Sequence, residues 1–139
     1  MNKEGIKKSL KNPYFNWGLV VAYAALIFYM SSLPRLIPPS LEGGLIDLIA
    51  NYSIHIGLAH FIEYAILSLL LFRALYVSKV KNPAVYAVVI AIVYGITDEF
   101  HQLFIPNRMF DVIDLFFNTI GAIAVQFIGK IKTWLIVIS

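Results

Sequence analysis

Ionisable side chains set inside apolar runs carry the strongest chemical signal in this sequence. His60 and Glu63 stand in one such run, Asp98, Glu99, His101 and Gln102 in a second, and Asp114 and Asn118 in a third. Carboxylates beside imidazoles are the groups of general acid and base catalysis, and the same groups ligate divalent metals. Arg108 adds a planar cation suited to bidentate pairing with Glu99, Asp111 or Asp114, or with a phosphate on an incoming ligand. The sequence leaves these partners open. Acid is in surplus: Glu63, Asp98, Glu99, Asp111 and Asp114 face Arg108 and two histidines. Either some carboxyls hold protons or a cation lies among them. No metal spacing such as H-E-x-x-H occurs, which ranks a divalent cation low, and no cofactor follows from the residues. A G-x-S-x-G elbow, a phosphate-binding loop and a G-x-G-x-x-G turn are equally absent from the sequence.

Helical spacing sorts these residues into faces. Gly57, His60 and Tyr64 share one face at steps of three and four, with Glu63 three residues from His60. Glu99 and Gln102 share a face with Gly95, while Asp98 lies beside His101 and Tyr94. Asp111, Asp114, Asn118 and Gly121 form a stripe at steps of 3, 4 and 3. A charged side chain at the centre of a bilayer costs about 3 kcal/mol on insertion scales, so such stripes turn inward. For His60, Glu63 or His101 taken singly, an interhelical hydrogen-bond network is as good a reading as any other. For the whole layer, binding or catalysis is the stronger expectation.

The elements that must position these groups are transmembrane helices. The 139 residues are 60% hydrophobic and only 14% charged, against about 45–50% and about 25% in soluble domains. With no cysteine, disulfides, thiolate metal sites and cysteine nucleophiles are excluded. Four stretches, at about 14–33, 54–77, 84–104 and 111–129, are long enough to cross a core of about 30 Å. At about 1.5 Å per residue, His60, Glu63, Asp98, Glu99, Gln102, Asp114 and Asn118 all fall within about 14 Å of one membrane face. The short link Ile105-Pro106-Asn107-Arg108 closes the hairpin between the third and fourth spans and holds Arg108 over that layer, with Asn107 suited to left-handed backbone.

Basic residues set the topology. Lys3, Lys7, Lys8, Lys11, Arg73, Lys79, Lys81, Lys130 and Lys132 fall on one side, and only Arg35 and Arg108 on the other, nine against two. This predicts an all-α integral membrane four-helix bundle, residues 1–139 forming a single domain, with both termini in the cytoplasm and the polar layer facing outward. The lysines beside the spans also account for the net charge of +3, so no nucleic-acid partner is expected. Leu45 to Tyr52 reads either as an extra interfacial helix over about 45–53 or as an outer extension of the second span. Small residues at Gly121, Ala122 and Gly129 offer a face for a homodimer. Tyr14, Trp17 and Trp134 read as interfacial belt residues.

Taken together, these residues resemble the VanZ-like family of small multi-pass bacterial membrane proteins. The resemblance begins at Ile27-Phe28-Tyr29-Met30-Ser31-Ser32 with Pro34 and continues through Ala59-His60-Phe61-Ile62-Glu63-Tyr64. It is strongest over Asp98-Glu99-Phe100-His101-Gln102-Leu103-Phe104, then Pro106-Asn107-Arg108, then Asp114, Asn118 and Gly121. Two positions depart from the pattern: Gly57 stands where relatives often have Lys, and Asn107 where the usual residue before the Arg is Gly. The resemblance implies a protein of the bacterial cytoplasmic membrane. The namesake of the family confers low-level resistance to teicoplanin, which implies an effect on glycopeptide susceptibility; the layered acids, His60 and Arg108 point to an outward-facing polar cleft that binds an envelope or lipid-linked ligand, such as a cell-wall precursor or a lipoglycopeptide. The residues themselves also support an intramembrane enzyme acting on a lipid headgroup or glycan. In that reading Glu99 or Asp98 is the base, His60 or His101 the acid or shuttle, and Glu63, Tyr64, Gln102, Arg108, Asp111, Asp114 and Asn118 complete the binding set.

Overall fold

The computed structural model describes residues 9–34 and 45–128, with side chains from residue 56 onward in the second segment. Among the described residues there are four helices and no strand: α1 (Pro13–Ser31), α2 (Leu45–Val77), α3 (Pro83–Gln102) and α4 (Val112–Phe127). Local chemistry sets their ends. Asn12 caps α1 by accepting from the Tyr14 N–H at 2.9 Å, and Pro13 occupies the first helical position, where its missing donor costs nothing. Pro83 opens α3 in the same way after Asn82, which takes a φ of 57°. Asp111 caps α4 by accepting from the Ile113 N–H at 2.8 Å.

Three of the helices are long and apolar enough to cross a membrane: Pro13–Ser31, the Ile56–Val77 part of α2, and Pro83–Gln102. The expected fourth span is a shorter apolar helix of 16 residues, about 24 Å long at 1.5 Å per residue. Leu45 to Tyr52 belongs to α2, which runs unbroken for 33 residues; the stretch is an extension of the second span, not a separate helix. The α2 helix is central, packing most extensively on α4 and also on α1 and α3.

The bundle is polar inside and apolar outside. Buried groups include Asn16, Ser31, His60, Ser68, Arg73, Asp98, Glu99, Gln102, Asp114, Asn118 and Gln126, whereas Val21, Leu26, Val89, Val93, Phe116 and Phe127 are exposed. That distribution suits an acyl-chain environment, in which buried polar groups link the helices. Close approach of α2 and α4 depends on glycine. A Cβ on Gly121 would collide with the Phe61 backbone carbonyl, and Ala122 is fully buried with its carbonyl accepting from Ser68 Oγ at 2.9 Å. The small-residue face that suggested a homodimer is therefore occupied within the chain at these two positions; Gly129 lies outside the described residues, as does Trp134. Trp17 is exposed, and its indole N–H donates to Ser78 Oγ at 3.2 Å, tying α1 to the α2–α3 turn.

Candidate functional site

The hairpin between α3 and α4 builds one end of the bundle. After Gln102 the chain turns through Ile105 to Arg108, whose N–H donates back to the Ile105 carbonyl at 3.2 Å. Asn107 has a φ of 60°, the left-handed conformation that its short amide side chain tolerates. The turn returns Asp111 to α3, where its backbone N–H donates to Glu99 Oε2 at 3.0 Å. The start of α4 is thus tied to a buried acid, and its first turn delivers Asp114 inward.

Below this turn, three helices contribute to one cluster. His60 Nε2 on α2 lies 3.4 Å from Asp114 Oδ2 on α4, and His60 Nδ1 lies 3.1 Å from Asn118 Oδ1, one helical turn further along α4. Glu99 on α3 joins them: one ligating atom from each of His60, Glu99 and Asp114 falls within 4.8 Å of the others. Gln102 links this group to its surroundings. Its amide nitrogen donates to Glu99 Oε1 and Asp98 Oδ2, both at 3.2 Å, while its Oε1 accepts from Arg108 at 3.3 Å. Arg108 also donates to the Leu33 carbonyl at 3.0 Å and the Met30 carbonyl at 3.3 Å, bracing the hairpin against the end of α1.

Most of the cluster is packed rather than solvated. Glu99 and Asn118 expose none of their surface, and Asp98, Gln102, Asp114 and His60 are also buried. Arg108, Asp111 and Glu63 are half-buried. Buried polar atoms without a hydrogen-bond partner among the described residues include the Tyr64 hydroxyl, Asp98 Oδ1 and Asn118 Nδ2. A Cβ on Gly95 would lie 3.1 Å from the Tyr64 ring and 3.4 Å from Asn118 Nδ2, which places two of the three beside one glycine. Gly57 faces a filled space: a Cβ there would lie 2.5 Å from the Phe117 ring.

The arrangement separates the sequence candidates into two faces. His60, Glu99, Gln102, Asp114 and Asn118 converge between α2, α3 and α4. Asp98 and His101 instead look toward α1, where Ser31 Oγ donates to Asp98 Oδ2 at 2.8 Å and Ser32 Oγ lies 3.0 Å from His101 Nε2. His101 also stacks on Phe28, with ring centroids 4.2 Å apart. The Asp111 carboxylate is engaged in capping α4. Ser31 and Ser32 were not among the sequence candidates. Their signals were position, as two adjacent hydroxyls at the end of α1 level with the acids of α3, and their place in the run Ile27 to Ser32 that carries the family resemblance. At the opposite end, a cavity of about 590 Å³ is lined by Lys11, Phe72, Tyr76, Val77, Lys79, Val80 and Pro83.

Chemically, such a cluster can transfer protons between imidazole and carboxylate, bind a cation among oxygens and a ring nitrogen, or present Arg108 to an anion. No curated protein and no solved structure matches the chain. A family model described as VanZ/LLP1 matches residues 15–133, a range that contains α2, α3 and α4, nearly all of α1 and every residue of the cluster. The chain is a membrane-type helical protein that belongs to the VanZ/LLP1 family.

Proposed function

We propose that this chain is a multi-pass protein of the bacterial cytoplasmic membrane, with both termini in the cytoplasm and the cluster near the outer face. In this reading it binds a lipid-linked envelope ligand there and lowers susceptibility to teicoplanin-type glycopeptides. The observation that carries the reading is the convergence of His60, Glu99 and Asp114 from three helices beneath Arg108. Burying that many ionisable groups within a membrane is costly, and intramembrane ionisable groups default to functional roles. Arg108 is the group suited to a phosphate or carboxylate on the ligand. The positive-inside distribution supports the orientation, and the antibiotic link rests on family membership. The test is teicoplanin susceptibility in cells carrying Arg108→Ala, scored against the amount of protein in the membrane. Loss of protection at normal abundance is expected; loss in proportion to abundance contradicts the reading.

A second reading, an intramembrane enzyme acting on a lipid headgroup or glycan, is favoured by one observation. The His60 ring is held at both nitrogens, by Asp114 and Asn118, next to the buried Glu99. An oriented imidazole beside a carboxylate is the arrangement of an acid–base pair. Comparing lipid and cell-wall precursor profiles with and without the protein separates the two readings, because a binder yields no new product.

A further inference from the structure

The geometry points to a divalent transition-metal site at His60 Nε2, Asp114 and Glu99. One ligand atom from each lies within 4.8 Å of the other two. Zinc-type bonds to imidazole and carboxylate are about 2.0–2.2 Å, so two ligands of a tetrahedral ion stand about 3.4 Å apart. His60 Nε2 and Asp114 Oδ2 are already 3.4 Å apart, and Glu99 would close on them by at most about 1.4 Å, a side-chain movement. Two carboxylates and a neutral imidazole carry two negative charges, which one divalent ion balances. A mixed nitrogen and oxygen donor set favours first-row transition ions over magnesium or calcium.

The surroundings fit the same assignment. A metal-bound imidazole donates its other N–H to a fixed acceptor, and His60 Nδ1 faces Asn118 Oδ1 at 3.1 Å. Ligating carboxylates are themselves held by hydrogen bonds, and Glu99 accepts from the Asp111 N–H and from Gln102. A separate observation concerns an atom the protein leaves unsatisfied. Asn118 is fully buried and holds His60 by one end of its amide, while the other end, Nδ2, has no partner among the described residues. An orphaned amide on the residue that holds the ligand imidazole is what an ion entering with bound water would satisfy, since buried polar groups elsewhere in proteins are paired. Three protein ligands also leave a position open for a phosphate or carboxylate oxygen of a ligand.

The inference rests on the proposed function for the purpose of the site, not for the binding itself. The test uses the full chain purified in detergent, stripped with chelator and then loaded with Zn²⁺ or Co²⁺. About one equivalent of metal per chain is expected, with visible Co²⁺ absorption bands much stronger than those of the aqueous ion, as four-coordinate cobalt gives. His60→Asn, Glu99→Gln and Asp114→Asn should each abolish retention, and Asn118→Leu should weaken it about 10- to 100-fold. His101→Gln, which lies on the α1 side, should bind as the unsubstituted chain does. Should a variant fail to fold, the Co²⁺ spectrum of the unsubstituted chain alone still decides. Absence of retained metal, or equal retention in every folded variant, overturns the assignment. If metal is absent while Glu99→Gln still removes glycopeptide protection, the metal site fails and the proposed function stands; if metal binds but protection is unaffected, the reverse holds.

Discussion

His60 on α2 is held at both ring nitrogens by one face of α4: Nε2 lies 3.4 Å from Asp114 Oδ2 and Nδ1 lies 3.1 Å from Asn118 Oδ1. Asp114 and Asn118 are four residues apart, so a single helical turn fixes the orientation of the imidazole. Glu99 arrives from α3, and Gln102 couples that acid to Arg108. Five side chains from three helices and a sixth from a turn thus share one set of contacts, and the predictions below probe what holds them there.

Gly121 tests the contact between α2 and α4. Gly121→Ala should destabilise the protein by about 1–3 kcal/mol, because the added Cβ meets the Phe61 backbone, which cannot move aside as a flexible side chain does. Gly18→Ala, where nothing lies within 4 Å, should be neutral or slightly stabilising given the better helix propensity of Ala. Thermal melts of both variants in one detergent check the contrast.

Ser31 tests the link from α1 to the cluster. Its hydroxyl donates to Asp98 Oδ2 at 2.8 Å, and both residues are buried. Ser31→Ala should cost about 1–3 kcal/mol, the range for leaving a buried acceptor short of a partner, with Ser31→Thr recovering most of it. Chemical denaturation in mixed micelles measures the difference.

The site was legible to the extent that it depends on charge in an apolar setting. His60, Asp98, Glu99, Gln102, Asp114 and Asn118 stand out in hydrophobic runs, and a fixed rise per residue puts them at one depth before any packing is known. The faces were legible too: Gly57, His60 and Tyr64, and likewise Asp114, Asn118 and Gly121, are buried together. Spacing does not reveal which neighbour a face meets. The Gly121 and Ala122 stripe reads equally as a surface for a second copy or for another helix of the same chain, and here it meets Phe61 and Ser68. The hydroxyls of Ser31 and Ser32 carry no charge and cost little in a helix, so only their position and their place in the family-like run Ile27 to Ser32 marked them. Arg108 was foreseen over the layer, but the backbone carbonyls of Met30 and Leu33 that receive it are invisible to a reading of side-chain types.

The other end of the bundle makes a separate prediction. Buried Arg73 donates to Asn16 Oδ1 at 3.0 Å and to the Leu10 carbonyl at 3.0 Å, and Asn16 Nδ2 in turn donates to the Leu10 and Asn12 carbonyls. Asn16→Leu should cost about 1.5–3 kcal/mol, the range for hydrogen bonds to a charged group, whereas Lys11→Ala on the exposed surface should change little. Melting temperatures of the two variants test this network independently of the cluster.

Orientation is open to direct measurement. Nine basic residues on one side against two on the other predict both termini inside the cell. A reporter that is active only outside should be silent when fused after Ser139 and active when inserted at Asn107. The opposite pattern would put the cluster on the cytoplasmic side and remove its access to envelope precursors.

The most direct test of the central claim is the teicoplanin susceptibility of cells that carry Glu99→Gln, normalised to the membrane abundance of the variant. Glutamine preserves the volume of the side chain while removing the charge, and its one carbonyl oxygen still accepts from either Asp111 or Gln102. If the cluster is the working site, protection falls to that of cells without the protein at undiminished abundance. If protection persists, or declines only as far as abundance does, the buried acid serves the bundle alone.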